Sequence, residues 1–344
     1  MYWKRIIALV SAALLASGVF AFAAGNAEAG AKAKGFTIGF SNSYGGNTYR
    51  QTMEALFKKL ADKMVADGTL KSYKMLQSNN NVATQVSQIE SLILDGVNAI
   101  IIDPGSASGL NGAIEKAVKA GIPVIIVNDG PVTTDQAYQI NWDTNAMAAD
   151  AVKHLADIMG GKGTIIEIRG LAGVPYDDAF HASALDALKA YPNIKVVGSI
   201  YGEWTESVAQ QQVASILPGI PQIDGVLGQG GDEYGALQAF IAAGRNIPVI
   251  IGGNRGNFLK WWADQKTKNG YKSFSWGANP WSAASSLYVA VDLLKGGVKV
   301  PKEMIMPALS ITQEMVDNFA NLKADEVAAK EYDHDWIVKT YYNK

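Results

Sequence analysis

The residues of this chain best suited to chemistry stand just after short, strongly apolar runs. Asp103 follows Ala99 to Ile102, Asn128 and Asp129 follow Ile122 to Val127, and the stretch Gln229 to Asp232 and Asn254 follow two further apolar runs. Carboxylates and carboxamides in such places hold hydroxyls, and a charged partner makes a hydrogen bond roughly twice as strong as a neutral one. Aromatic residues keep the same company, with Tyr44, Trp204 and Trp281 in loops that break apolar stretches. Flat rings cover C–H surface while amides and carboxylates take a polar rim. The combination suits a small molecule with hydroxyls at its edge and apolar faces.

Other chemistries find less support. A carboxylate pair such as Asp129 and Asp178 suits acid and base roles in glycoside hydrolysis. No nucleophile, triad or metal motif reinforces that reading, and His154, His181 and His334 have no partners at metal-ligand spacing. The stretch Gly160-Gly161-Lys162-Gly163-Thr164 lacks Ser or Thr directly after its Lys, and G-x-G-x-x-G is absent, so no nucleotide cofactor is expected. Helix capping is the plain alternative for Asp103, Asp177 and Asp178, and caps and turns for Asn79 to Asn81.

The elements that must position these residues come from a repeat. In its first copy, Leu92 to Asn128, Asp95-Gly96 ends a helix, Ala99 to Ile102 is a strand buried on both faces, and Leu110 to Ala120 returns to helical spacing. Gly121 closes that helix before the strand Ile122 to Val127. The second copy, Asp224 to Asn254, repeats the punctuation: Asp95 matches Asp224, Gly121 matches Gly244, Pro123 matches Pro248 and Asn128 matches Asn254. Each copy is a strand, helix, parallel strand unit, so the chain is α/β with two Rossmann-like lobes of parallel sheet. Ligands of such sheets bind beyond the carboxyl ends of the strands, so two sheets imply two facing rims and a hinge.

The reading along the chain places Phe36 to Phe40 and Tyr73 to Leu76 as strands around a helix, Thr48 to Ala66. Tyr138 to Trp142 is extended, and the chain crosses between lobes near Asn141 to Asp143. Thr164 to Ile168, Lys195 to Ile200 and Phe274 to Trp276 supply further strands of the second lobe. Crossings near Gly277 to Trp281 and near Met306 to Ser310 complete a three-segment hinge. The first lobe then comprises residues 35–142 with 281–308, and the second 143–280 with 309–344.

Composition sets the bounds. A chain of 344 residues, 48% hydrophobic and 18% charged, suits two globular domains of ordinary size. A net charge of −2 offers no basic surface for a phosphate backbone, so no nucleic-acid partner is expected. Lys4 and Arg5 precede an apolar stretch from Ile6 to Phe22 and small residues at Ala27-Glu28-Ala29, the pattern of a secretory signal peptide over residues 1–29. With no cysteine there are no disulfides and no lipidated N-terminal Cys. The expectation is a monomer free in the periplasm.

Several stretches together resemble the periplasmic sugar-binding proteins of ABC importers, the ribose-binding type, whose fold is periplasmic binding protein type I. They are GFSNSYGGNTYR from Gly39, Ile102 to Pro104, GIPVIIVND from Gly121, EIRGLAG from Glu167 and DEYGALQAF from Asp232. The resemblance implies a sugar or polyol held between the lobes and delivered to a membrane permease, or presented to a chemoreceptor or kinase. It implies first-lobe contacts at Tyr44, Asn47, Tyr49 or Arg50, Asp103, Asn128 and Asp129. It implies a stacking ring at Trp204, and contacts at the Gln229 to Asp232 loop and at Asn254 and Asn279, which sit where Asp and Gln are usual. Asp177 and Asp178 stand at a further contact position, and Trp281, independently of the resemblance, is a ring able to cover an apolar face. Two departures stand out: the family commonly has Asp-Arg where this chain has Asn128-Asp129, and Arg where it has Asp177-Asp178. Loss of both Arg weakens an aldose reading and leaves a polyol, a furanose or a less usual sugar.

Overall fold

The structure, a computed structural model, describes residues 35–342. The expected signal segment, residues 1–29, lies outside them. From the start, β1 (Phe36–Asn42), α1 (Thr48–Ala66), β2 (Leu70–Gln77), α2 (Val82–Leu94), β3 (Ala99–Asp103), α3 (Asn111–Lys119), β4 (Val124–Val127) and β5 (Tyr138–Trp142) alternate as the repeat requires. A second series follows: α4 (Thr144–Met159), β6 (Gly163–Arg169), α5 (Pro175–Leu188), β7 (Ile194–Tyr201), α6 (Glu206–Ile216), β8 (Gly225–Gly228), α7 (Glu233–Ala242), β9 (Val249–Gly252), α8 (Gly256–Asn269) and β10 (Phe274–Gly277). The chain ends with α9 (Trp281–Lys295), β11 (Glu303–Met306), β12 (Leu309–Ile311) and a short helix, α10 (His334–Ile337).

Two six-stranded sheets result, ordered β11-β5-β4-β3-β1-β2 and β12-β10-β9-β8-β6-β7. All pairings in the first are parallel, and in the second only β12 runs antiparallel, at the edge. The uninterrupted apolar runs have the cause expected of parallel strands covered on both faces. In β3, Ile100 and Ile102 pack with Ile89, Leu92 and Ile114, whereas Ala99 and Ile101 join Phe57 and Leu287 on the other side. The second repeat does the same, with Val226 and Ile250 against Phe240 and Phe258, and Leu227 and Ile251 on the opposite face.

Local chemistry sets the element ends. Asn47, Asn81 and Asp143 cap α1, α2 and α4, accepting from the backbone N–H of Arg50 (2.9 Å), Thr84 (2.8 Å) and Ala146 (2.9 Å). Asn79 and Asn80 take left-handed backbone, so the triple Asn is a turn and a cap. These caps matter for function because α1 begins at the rim of the first sheet and carries Arg50 in its first turn.

The C-terminal segment differs from the expected division, which gave 309–344 to the second lobe. β12 does pair with β10, and the Ala328 N–H donates to the Asn254 carbonyl at 2.9 Å. Beyond Lys330 the chain turns to first-lobe elements instead. The Tyr332 carbonyl accepts from Trp281 Nε1 (3.0 Å) and Ser285 Oγ (3.1 Å) on α9, and Tyr341 Oη donates to the Ile305 carbonyl (2.6 Å). The reason is apolar burial: Tyr332 and Ile337 have their places in the cluster that also holds Trp281, Met304 and Met306. The chain therefore passes between the lobes four times.

Candidate functional site

The carboxyl ends of both sheets border one cavity of about 70 Å³. Asn47 after β1, Tyr49 and Arg50 in the first turn of α1, Asn128 and Asp129 after β4 and Trp142 at the end of β5 border it from one side. Tyr176 at the start of α5, with Trp204, Gln229, Asn254, Arg255 and Ala278 from the loops after β7, β8, β9 and β10, borders it from the other, and Val327 closes the back.

Arg50 organises the first side. Its guanidinium is buried and forms ion pairs with both Asp103 and Asp129, and it donates to Asn42 Oδ1 at 2.8 Å. Asp103 is wholly buried and also accepts from Asn128 Nδ2 at 2.9 Å, so it braces the site without bordering the cavity. Asn128 is consumed by the scaffold as well, since its Oδ1 accepts from Tyr49 Oη (3.2 Å) and from Ser282 Oγ. Burial pushes the Asp129 carboxyl above the usual carboxylate range, and the positive charge of Arg50 works against that. One cation between two carboxylates leaves acceptor capacity for hydroxyls. The missing Asp-Arg pair thus has a physical substitute, because the guanidinium comes from α1 and not from the loop after β4.

On the second side, Trp204 is held by its loop. Glu203 and Trp204 adopt left-handed backbone, with φ of 56° and 50°. The Trp204 carbonyl accepts from an Arg255 Nη at 3.1 Å, and Arg255 pairs with Glu206 at 3.0 Å. A Cβ on Gly170 would overlap the Trp204 ring, so the ring lies directly on that backbone. Tyr176 flanks it, 6.1 Å between ring centres and tilted by 53°. With Trp142 and Tyr49, four aromatic rings border the cavity. Two buried donors on residues that border it, Trp142 Nε1 and Arg255 Nε, have no partner among the described residues. A buried donor without a partner is costly, and a hydroxyl oxygen would satisfy either one.

Of the residues singled out from sequence, Asn47, Tyr49, Arg50, Asn128, Asp129, Trp204, Gln229 and Asn254 border this cavity. The others stand away from it. Asp177 is buried beneath Gln229, where it accepts from Gln229 Nε2 (2.8 Å), Arg169 (2.6 Å) and the Gly170 N–H (2.8 Å). Asp178 faces out, its side chain 64% exposed and paired with Arg169, so the suggested acid and base pair with Asp129 does not share a cavity. Asn279 binds Lys330, Trp281 packs under Tyr332, and Tyr44 lies over Gly46. Sequence reasoning did not single out Tyr176, Trp142, Arg255 and Val327. Tyr176 adjoins Asp177, Arg255 follows Asn254, and Trp142 ends a strand, so their positions carried a signal; Val327 sits in a stretch with no periodicity.

Asp232 is fully buried behind the Trp204 loop, and neither of its oxygens has a hydrogen-bond partner among the described residues. Burial, reinforced by neighbouring Glu233, pushes its carboxyl well above the usual range. A carboxyl with a raised folded-state pKa favours folding most below its unfolded value of about 3.9, and that contribution is lost as pH rises toward the folded value. Asp232→Asn should flatten the fall in melting temperature between pH 4 and pH 8; melting curves parallel to wild type would contradict this. Arg50→Leu leaves two buried carboxylates facing each other and should lower stability by about 3–5 kcal/mol in urea titration. A loss below about 1 kcal/mol, typical of an exposed pair, would contradict the buried triad.

Comparison with known proteins agrees with this architecture. A family model described as a periplasmic binding protein domain matches residues 38–297. A xylitol-binding protein of Mycolicibacterium smegmatis is 34% identical over 253 residues, covering 70% of this chain and 68% of its own. A ribose import binding protein of Bacillus subtilis is 27% identical over 231 residues, covering 63% and 69%. The crystal structure of an ABC transporter solute binding protein from Thermobispora bispora superposes with a TM-score of 0.82 at 33% identity, covering 88% of this chain and 94% of the other. Two parallel sheets meeting at one aromatic-walled cavity, and a match through most of both lobes, make this chain a member of the periplasmic binding protein family.

Proposed function

We propose that this protein captures one small, neutral, hydroxyl-rich molecule, a sugar or polyol, between its lobes and delivers it unchanged to the membrane permease of an ABC importer. The observation that carries the proposal is the cavity itself, bordered by the rings of Trp204, Tyr176, Trp142 and Tyr49, by the clamped Arg50–Asp129 pair, and by two residues, Trp142 and Arg255, each with a buried donor that has no partner among the described residues. Rings suit C–H faces, and charged or orphaned polar groups suit hydroxyls. The cavity, about 70 Å³, is small, which favours one compact guest over a polymer.

The names of the relatives, a xylitol-binding and a ribose import binding protein, support the same ligand class and a role in import. We place the protein free in the periplasm as a monomer, with release to the permease as its last step. The four passages between lobes suit a hinge that opens and closes without lateral drift. Catalysis is not part of the proposal, since the carboxylate pair that would have served it is split between cavity and surface.

Thermal-shift screening against pentoses, hexoses, pentitols and inositols, followed by calorimetry, tests the proposal. At least one compound should raise the melting temperature and be recovered intact after incubation. Trp204→Ala and Asp129→Ala should each weaken its binding by more than tenfold while retaining a cooperative unfolding transition. A screen without any binder, a compound returned chemically altered, or variants with wild-type affinity would refute the assignment.

A further inference from the structure

The inner cavity is not the whole of the space between the lobes. A groove of about 390 Å³ runs beside it at the mouth of the cleft, and Asn47 and Arg255 line both. Gln51 enters the groove from α1, Gln210 from α6, and Tyr234 and Gln238 from α7, so both lobes contribute. Gln51 and Gln210 are exposed and Tyr234 and Gln238 half-buried, so their amides and hydroxyl are open to a molecule in the groove. Carboxamides both donate and accept, which matches a hydroxyl, itself donor and acceptor.

Charge narrows the choice of occupant. The one carboxylate lining the groove, Glu206, pairs with Arg255 at 3.0 Å and accepts from Asn257 Nδ2 at 2.8 Å. The groove is therefore polar and close to electrically neutral, a poor match for a phosphate or an ammonium group. The groove is lined from both lobes and adjoins the inner cavity, so a further unit would sit beside a molecule already seated within.

We propose that the groove is an outer subsite for a neutral glycosyl unit attached to the hydroxyl-rich group that occupies the inner cavity. The ligand class is then a short glycoside, such as a glycosylated polyol, in addition to the free sugar or polyol. This rests on the function proposed above, and the test separates the two.

Calorimetry with three matched pairs decides it: xylitol with xylobiitol, glycerol with glucosylglycerol, and myo-inositol with galactinol. In a pair whose free member binds, the glycosylated member should bind at least as tightly. The double variant Gln51→Ala with Gln238→Ala should weaken the glycosylated member fivefold or more and change the free member by less than twofold. A glycosylated member that binds more weakly than its free partner, or a double variant that weakens both alike, overturns the subsite alone. Failure of every compound in all three pairs would overturn the capture of polyols and, with it, the subsite.

Discussion

A guanidinium taken out of water must keep its charge compensated, and the site of this protein is built around that requirement. Arg50 lies buried between Asp103 and Asp129, and each neighbour of the three is committed to the same arrangement. Asn128 spans from Asp103 to Tyr49 and Ser282, which links the end of β3 to α1 and to α9. Asn42 receives Arg50 and, from its other end, donates to Glu54 at 2.7 Å. Asp129, Arg50 and the Tyr49 ring are left to face the cavity. A charge network fixed on one side by packed strands changes little when a guest arrives, so hydrogen bonds to it need no reorganisation.

The second lobe answers with shape. Two consecutive left-handed residues, neither of them Gly, hold Trp204 over the bare backbone of Gly170, and Arg255 fixes the loop from behind. Backbone of this kind persists where surrounding contacts determine it, and such places are common at binding sites. The loop belongs to the same region as Asp232, whose carboxyl burial pushes well above the usual range. Rigid charge on one lobe and a positioned ring on the other make the cavity selective only when both rims approach. The C-terminal segment bears on that approach, because it is hydrogen-bonded both to Asn254 at the cavity and to α9 of the opposite lobe.

The fold was largely legible in the sequence because its signals are local. Apolar runs of four to six residues, Gly at helix ends and Asn or Asp at helix starts marked Thr48–Ala66 and Tyr138–Trp142 to the residue. The repeat then supplied topology without any long-range information. The site was legible in part. Residues directly at strand ends, such as Asn128, Asp129 and Asn254, came out of the pattern, but spacing does not say which of two adjacent polar residues turns inward. Asp177 and Asp178 differ by one position on a helix, and one is buried under Gln229 while the other meets solvent. Arg50 supplying the charge that the Asn128-Asp129 dipeptide lacks is a tertiary fact, since 79 positions separate it from Asp129. The tail from Tyr332 was misassigned for a similar reason: its partners on α9 lie 47 to 51 positions earlier.

Charge on one rim and a ring on the other grip a guest only if the two lobes close over it. The chain has no cysteine, so Lys58→Cys on α1 and Gln211→Cys on α6, both exposed, give a spin-labelled pair spanning the cleft with no background labelling. Pulsed electron resonance should return a broad distance distribution without ligand, and a shorter, narrower one once a bound sugar or polyol is present. An identical distribution at saturating ligand would mean that the molecule binds without moving the lobes, and would contradict capture by closure.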